Sequence, residues 1–217
     1  MKRKRFNTAG HTFWDKEYKA GNHLALSNNP SEDLVKFTRW LTREYGREYL
    51  NQAASVLDLG CGNGRNLLHL ARTFGMKGVG LDTSSEAIAQ AKALSVNLPI
   101  EYQIQNIANP LLVTDSSQAL VLDMMTSHFL RKEERLRLRE EIARVLKPGG
   151  WLFWKTFLLD HDEHAKRLLQ ENPADEEGSY IHPKIGLLEH VFTEKEIENA
   201  LSGKFTIQKI TKSHGHL

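Results

Sequence analysis

Residues 55–66 read Ser-Val-Leu-Asp-Leu-Gly-Cys-Gly-Asn-Gly-Arg-Asn, and this stretch predicts a strand, a glycine turn and the start of a helix. The run 55–59 is short and mostly apolar, which is typical of a buried strand. Glycines at alternate positions then remove every second Cβ from the turn. From Asn66 to Phe74 the apolar residues follow helical spacing. Such a turn lets a ligand lie against the backbone, with N–H groups at the helix N-terminus pointing towards it.

Two ligand classes use this layout, and the glycine spacing separates them. A dinucleotide site has the pattern G-x-G-x-x-G, which would place a glycine where this chain has Arg65. Asp58, in the strand before the turn, would repel a pyrophosphate and suits a ligand with an ammonium group. Asp82 follows a second apolar run, Gly78–Leu81, and an acid there accepts hydrogen bonds from ribose hydroxyls. The residues therefore favour a ligand with an ammonium group, a ribose and no phosphate.

Three further features resemble a known family. Val56–Gly64 is similar to the first motif of the class I S-adenosylmethionine-dependent methyltransferases, whose cofactor has an ammonium, a ribose and an adenine. Leu146–Trp151 resembles the turn before the fifth strand of that family, and it stands at the corresponding place in the order of motifs along the chain. Phe13–Tyr18 resembles the N-terminal segment of its thiopurine and tellurite-resistance branch, which folds over the cofactor. The resemblance covers about residues 12–157.

This resemblance implies S-adenosyl-L-methionine as the cofactor and assigns residues to it. Asn106 stands where many relatives carry an aspartate that bonds the adenine amino group, and an asparagine oxygen can accept the same bond. Asp123 and Met124 end the fourth predicted strand, where the loop of the family meets both cofactor and acceptor. The predicted cofactor-binding residues are Asp58, Gly60, Cys61, Gly62, Asn63, Gly64, Asp82, Thr83, Asn106, Ile107, Asp123, Met124 and Trp14.

Helices and strands alternate along the chain. Apolar runs predict five strands, and helical spacing predicts helices between them. A further helix is predicted before the first strand, with Ser31 as its N-cap. The predicted strands are 55–59, 78–81, 100–105, 119–122 and 151–157, and the clearest helices are 66–74, about 84–94 and 133–146. This alternation predicts an α/β fold with a doubly wound, mostly parallel sheet, as in Rossmann-like methyltransferases.

The C-terminal part predicts an unusual sheet edge. Thr193 and Glu196 form a capping box for a last helix, and Phe205–Ile210 predicts a sixth strand. Relatives usually add a seventh, antiparallel strand, but here only seven residues follow Ile210. Either Ser213–Leu217 is a vestige of that strand or the strand is absent. An absent strand would leave an unpaired sheet edge, which favours a homodimer or lower stability.

Composition is consistent with one enzyme domain. We expect residues 1–12 to be a flexible basic tail and residues 13–217 to form a single domain of the 217-residue chain. The formal charge of +2 does not by itself indicate nucleic acid. No apolar run approaches the roughly 18 residues of a membrane span. Polar residues follow Lys2–Arg5 where a signal peptide would have an apolar region, so we expect a cytoplasmic protein.

Cysteine and histidine usage argues against a disulfide and a metal site. The chain has one cysteine and ten histidines. His161 and His164 would share a helix face, and His214 and His216 would share a strand face, but neither pair has a third ligand at a recognised spacing. We therefore predict no metal.

The loop after the fourth strand excludes some classes of methyl acceptor. Methyltransferases of exocyclic DNA amines carry Asn/Asp-Pro-Pro-Tyr there, whereas this chain has Asp-Met-Met-Thr-Ser-His over residues 123–128. Cytosine C5 and arsenite methylation need cysteines that this chain lacks near the loop. We therefore expect a small-molecule acceptor. The alternatives are a protein or RNA methyltransferase, a non-catalytic binding module, or an NAD-dependent oxidoreductase.

His128 is the candidate catalytic residue. It follows the fourth strand at the ligand-binding end of the sheet and could act as a base near neutral pH. The alternative is a histidine packed against Phe129, with no base required because positioning supplies most of an in-line methyl transfer. The candidate substrate residues are His128, Tyr180, His182 and His190.

Overall fold

The computed structural model describes residues 8–21, 27–160 and 162–212, with side chains from Thr12 onward. The basic residues 2–5, His161 and the final segment 213–217 lie outside the described residues. The boundary predicted at residue 12 falls inside the first helix, which begins at Thr8.

Seven helices and seven strands make up the described part of the chain, with a short 3-10 turn, Ser127–Phe129. The strands are β1 (Ser55–Leu59), β2 (Lys77–Asp82), β3 (Ile100–Ile104), β4 (Gln118–Met124), β5 (Leu146–Lys155), β6 (Ser179–Ile181) and β7 (Leu188–His190). The helices are α1 (Thr8–Ala20), α2 (Glu32–Tyr45), α3 (Arg65–Phe74), α4 (Ser85–Leu94), α5 (Lys132–Val145), α6 (Glu163–Glu171) and α7 (Glu194–Leu201).

The predicted fold class is confirmed. Five parallel strands form one sheet in the order β3-β2-β1-β4-β5, and β6 and β7 form a separate antiparallel pair. The strand order reverses between β1 and β4, which is the place where sheets of this kind bind ligands. Because the strands are parallel, the residues that end β1 to β5 meet at one edge, and the helices after β1, β2 and β4 begin near it.

Helices cover both faces of the sheet because successive strand residues point to opposite sides. Leu120 of β4 packs with Leu67 of α3 in one core cluster. The next residue, Val121, packs with Ile142 of α5 in a second cluster on the other face. All four side chains are fully buried. The apolar runs of the sequence therefore form strands buried on both faces, as parallel sheets require.

Helix starts follow the capping signals of the sequence. Thr193 Oγ1 accepts a hydrogen bond from the Glu196 amide at 3.1 Å, and Glu196 Oε2 accepts one from the Thr193 amide at 2.8 Å. The predicted capping box is therefore confirmed. Ser31 is the N-cap of α2 without a side-chain capping bond, and its amide instead donates to Asn66 Oδ1 at 3.0 Å.

The predicted sixth strand is wrong. Residues 205–210 have no regular secondary structure, although Phe205 packs against the second core cluster. Ile207 and Ile210 are exposed, and Lys209 lies 5.4 Å from the ring centroid of Trp40. Only the partly buried Phe205 joins the core, and the apolar side chains of this segment form no strand because no neighbouring strand pairs with it among the described residues. Within the described residues, β3 and β5 are the two edge strands of the sheet.

The start of β5 also differs from the prediction. Helix α5 ends at Val145 and the strand begins at once with Leu146, whereas we expected a turn up to Gly150. The pairing with β4 shifts between Gln118 and Leu120, which accommodates the extra residues as an irregularity of the strand.

Candidate active site

A cavity of about 700 Å³ opens at the carboxyl edge of the sheet. Its wall combines residues at the ends of β1 to β5 with residues from α1 and from the segment before β7. The predicted cofactor residues on the wall are Trp14, Asp58, Gly60, Asn63, Asp82, Thr83, Asn106, Ile107 and Met124. Among the described residues, Cys61, Gly62, Gly64 and Asp123 are close by in the chain but do not line it.

The glycine turn is required by protein packing. Gly60 has φ +69°, and a Cβ there would lie 2.3 Å from Cγ2 of Thr126. Gly62 has φ +55°, and a Cβ there would lie 2.1 Å from the Tyr18 hydroxyl oxygen. The sequence pattern indicated that Gly62 gives a ligand room to approach, whereas in the structure the neighbour at Gly62 is a side chain of α1. These two glycines let the turn curl beneath α1 and the loop after β4.

Asp82 holds the turn and faces the cavity. Its Oδ2 accepts the Gly62 amide at 2.9 Å, and its Oδ1 accepts the Ser84 amide at 2.8 Å. Burial raises the pKa of this carboxyl, and the backbone hydrogen bonds oppose the rise. Each carboxylate oxygen keeps a further lone pair, so Asp82 can still accept hydrogen bonds from hydroxyls in the cavity.

Asp58 is the most unusual group of the site. It is 2% exposed, lines the cavity, and its Oδ2 has no hydrogen-bond partner among the described residues. Burial, and next the charge of Asp82, raise the pKa of Asp58 to about 8, while Arg65 lowers it. A buried carboxylate without a partner is costly unless a cation pairs with it. The site is therefore suited to a ligand with a positive group beside Asp58.

Helix α1 covers the cavity. Asp15 Oδ1 accepts from the Ser84 hydroxyl at 2.7 Å, which ties α1 to the start of α4. Trp14 lies edge-on to Phe129 with ring centroids 5.3 Å apart. Tyr18 lines the cavity, and burial followed by the charge of Asp82 raises the pKa of its hydroxyl. The segment that resembles the family's cofactor-covering helix thus lies over the predicted cofactor residues.

Asn106 and Asn66 use their side chains to shape the wall. Asn106 Oδ1 accepts from the Ala108 amide at 2.9 Å within the turn that follows β3. Asn66 Nδ2 lies 3.6 Å from the sulfur of Met124 and links α3 to the end of β4. Asn106 lines the cavity, so its amide remains a candidate for the adenine.

Asp123 has a different place from the one expected. It is fully buried, forms an ion pair with Arg139 of α5 at 2.7 Å, and accepts from the Ser127 amide at 3.0 Å. Arg139 also donates to Ser127 Oγ at 2.8 Å and lies 4.0 Å from the ring centroid of Trp154. Asp123 thus belongs to a network that fixes the loop after β4, whereas Met124, the other cofactor residue predicted here, lines the cavity.

His128 lies behind the cavity wall. Its ring is 2% exposed and packs against Phe129 and Phe157, with centroids 4.0 Å and 5.1 Å away. Burial lowers the pKa of His128 to about 3, so the imidazole is neutral throughout the physiological range. It is absent from the part of the wall formed by described residues. The placement matches the packed alternative, and the catalytic role of His128 gains no support from the geometry.

The three predicted substrate residues of the C-terminal region also lie off the described wall. Tyr180 donates to a buried carboxylate on the facing strand at 2.5 Å, and His190 Nδ1 lies 2.8 Å from a buried serine hydroxyl. His182 accepts two amides of its own turn. The same region does reach the cavity, through Leu187 and Leu188. Leu187 and Leu188, and not the three predicted side chains, therefore bring this region to the described wall.

Several wall residues were missed by the sequence reasoning, among them Tyr18, Arg65, Gln105, Met125, Lys155 and Leu188. Gln105, Met125 and Lys155 follow or end β3, β4 and β5. The rule that ligands bind at the carboxyl ends of parallel strands could have found them. Leu187 and Leu188 carry no comparable signal, because only the folded chain brings β7 next to the 3-10 turn.

The described residues have neither a metal-binding cluster nor a membrane-spanning helix. They contain no group of three or more histidine, cysteine, aspartate or glutamate side chains able to hold a metal ion. They also include no helix that combines the length and the apolar character needed to cross a membrane.

Comparison with known proteins identifies the family. Residues 56–150 match the methyltransferase domain family. The crystal structure of an S-adenosylmethionine-dependent methyltransferase from Methanosarcina mazei is 30% identical, with a TM-score of 0.62 over 71% of this chain and 80% of that one. The chain therefore belongs to the S-adenosylmethionine-dependent methyltransferase family, whose cofactor is S-adenosylmethionine.

Curated relatives include enzymes named for oxygen methylation. An O-methyltransferase from Aspergillus sclerotiorum is 28% identical over 64% of this chain and 54% of its own length. A fatty-acid O-methyltransferase from Mycolicibacterium smegmatis is 27% identical over 63% of this chain and 49% of its own length. The chain thus spans about half the length of these relatives.

The state of Asp58 leads to a measurable proton release. In the free protein its pKa of about 8 keeps the carboxyl protonated at pH 7, and the ammonium of a bound cofactor would favour the charged form. Binding of S-adenosylhomocysteine at pH 7 should therefore release up to one proton, and affinity should rise with pH until about pH 8. Calorimetry in buffers of different ionisation enthalpy measures this release.

Asp58→Asn is the control for this measurement, since it removes the titrating carboxyl and keeps its shape. The variant should lose the proton release that the natural protein shows. Equal proton release by the two proteins would mean that Asp58 does not face the ammonium.

The buried ion pair should carry much of the stability of the loop after β4. Arg139→Met leaves Asp123 charged and buried without its partner, which typically costs about 3–5 kcal/mol of unfolding free energy. Arg43→Met breaks an exposed pair with Glu44 and should cost less than about 1 kcal/mol. Urea denaturation measures both, and similar losses for the two variants would contradict the assignment.

Proposed function

We propose that this chain transfers the methyl group of S-adenosylmethionine to a small-molecule acceptor. The observation that carries this proposal is the buried side chain of Asp58, whose Oδ2 has no hydrogen-bond partner among the described residues, on a cavity that Asp82 also lines. Family membership supplies the cofactor, and these two residues supply the groups that its ammonium and ribose require. We retain, as part of the proposal, the likeness of Phe13–Tyr18 to the tellurite-resistance and thiopurine branch.

The proposed roles divide along the cavity. Asp58 would hold the ammonium, Asp82 the ribose hydroxyls and Asn106 the adenine amino group. Arg65 lies close enough to Asp58 to lower its pKa, so its guanidinium is placed to pair with a carboxylate beside that ammonium. When bound, the cofactor supplies an activated methyl group on a positively charged sulfur. Trp14 and Tyr18 of α1 would keep water away from the reacting centre.

Positioning is the catalytic contribution that the structure supports. The part of the wall formed by described residues contains no histidine, and His128 is packed behind it. Holding two reactants in line can supply about 7–11 kcal/mol of a reaction barrier. The loop after β4, fixed by the Asp123–Arg139 pair, would place the acceptor against the methyl group. No proton needs to be removed if the acceptor atom is already a nucleophile at neutral pH.

The dimensions of the site favour a small acceptor. A volume of about 700 Å³ is in the range of small-molecule sites, and Trp14 and Tyr18 of α1 form part of its wall. The two curated relatives described above are named as an O-methyltransferase and a fatty-acid O-methyltransferase. Their names support a small acceptor with an oxygen atom for this chain as well.

A labelling experiment tests the proposed function. The purified protein is incubated with cofactor carrying a labelled methyl group and with panels of small molecules, peptides and RNA. We expect label only in the small-molecule fractions, and none with Asp58→Asn at the same cofactor concentration. Label confined to peptides or RNA would contradict the acceptor class, and hydride transfer from a nicotinamide would contradict the reaction.

The pH profile of the labelled reaction tests the absence of a histidine base. At saturating cofactor the rate should show no inflection between pH 6 and 7, because His128 stays neutral above about pH 3. An inflection in that range that His128→Gln abolishes would show that this residue acts as the base after all.

A further inference from the structure

Part of the cavity has an apolar wall, and we call this part the apolar end. Its wall is formed by Met124, Met125, Phe129, Leu130, Leu187 and Leu188. The ends of β4 and β5 meet here, since Met124 pairs in register with Lys155 and the Met125 amide donates to the Lys155 carbonyl at 2.9 Å. The 3-10 turn and β7 pack together on the other side. This apolar end is the part of the site left for the acceptor.

Lys155 adds a positive charge to the apolar end. It is the last residue of β5, its side chain is about one-third exposed, and it lines the cavity. Its Nζ donates to Oδ2 of Asp33 on α2 at 2.6 Å. Asp33 itself does not belong to the described wall. An ammonium has three N–H donors, so the contact with Asp33 orients the group and leaves donors for a ligand.

The second cationic side chain on the described wall, Arg65, lies at the cofactor end of the cavity. Arg65 lies with Asp58 and Tyr18, because its charge lowers the pKa of both groups. It therefore belongs to the cofactor end of the cavity. Lys155 is left as the positive group beside the apolar wall, on the strand next to the loop that would present the acceptor.

We propose that the acceptor is a carboxylic acid with an apolar body, whose carboxylate is held by Lys155 while the body lies on the wall of methionine, leucine and phenylalanine side chains. This inference rests on the proposed function for its cofactor, but the acid site is defined by this chain's own residues. A charge-assisted hydrogen bond to a carboxylate is strong in a partly desolvated site, and the apolar wall favours a hydrocarbon over a hydrophilic acid.

An amine acceptor is the competing assignment, because Glu134 also lines the cavity. The Glu134 carboxylate already accepts the Arg131 amide at 2.9 Å in the capping box of α5. This contact ties the Glu134 carboxylate to the start of α5, while the contact of Lys155 with Asp33 leaves two donors of its ammonium for a ligand. An amine with the same apolar body separates the two assignments directly.

Three probes with one hydrocarbon body test the proposal. Octanoate, octanol and octylamine are titrated into the protein saturated with S-adenosylhomocysteine, which has no methyl group to transfer. We expect octanoate to bind at least tenfold more tightly than either of the others, and more tightly than propionate, which lacks the apolar body. Methyl NMR signals of Met124 and Met125 should shift on binding, which places the probe at the apolar end.

Matched variants assign the binding to Lys155. Lys155→Met keeps the stem and removes the charge, so octanoate should lose about tenfold in affinity or more. Lys147→Met, at an exposed position of the same strand, should leave its affinity unchanged. Lys155→Arg should retain the preference for the acid. Asp33→Asn, which keeps the lysine charge, should bind octanoate at least as tightly as the natural protein.

Two results would overturn the proposal. One is octanoate binding no more tightly than octanol or octylamine, and the other is unchanged octanoate binding by a folded Lys155→Met protein. The titrations are repeated without S-adenosylhomocysteine, so that the acid site is measured by itself. Failure of S-adenosylhomocysteine to bind would overturn the proposed function, while octanoate binding that depends on Lys155 would still establish the acid site.

Discussion

The buried carboxylate of Asp58 is the constraint on which the site depends. Its strand position is fixed by pairing with Gly80 on one side and Leu122 on the other, so the side chain cannot be withdrawn without breaking the sheet. A carboxylate so buried, with one oxygen unpartnered within the described residues, is tolerable as a neutral acid or beside a bound cation. The raised pKa of Asp58 favours the neutral acid in the free protein, and the proposed cofactor ammonium would be the bound cation.

Two other carboxylates at the same edge of the sheet have roles that differ from that of Asp58. Asp82 ties the glycine turn to the end of β2 and keeps lone pairs for a ligand. Asp123, at the equivalent end of β4, is fully satisfied by Arg139 and by the loop that it fixes. The three carboxylates at this edge of the sheet thus differ in their contacts and in their proposed roles. What separates them is whether another part of the chain supplies a partner.

The sequence could predict features that depend on local residues, but not contacts between distant parts of the chain. The alternation of apolar runs and helices predicted the parallel sheet, because buried strands and capped helices are local features. The partner of Asp123 lies on α5, and Phe157, one of the two aromatic neighbours of His128, follows β5. The local pattern alone therefore could not decide that either side chain is buried. Phe205–Ile210 failed as a strand for the same reason, since a strand needs a neighbour as well as apolar residues. Lys155 was missed, although its position at the carboxyl end of β5 could have indicated it.

The most direct test of the site is equilibrium binding of S-adenosylmethionine to the natural protein and to Asp82→Ala. Removing the carboxylate leaves the ribose hydroxyls without acceptors, so we expect a loss of about 2–3 kcal/mol, or roughly 30- to 150-fold in affinity. Glu101→Ala, which removes an exposed carboxylate from β3, should bind as the natural protein does. A change of less than about threefold in Asp82→Ala, or tighter binding of NAD than of S-adenosylmethionine, would contradict the assignment of this cavity to the cofactor.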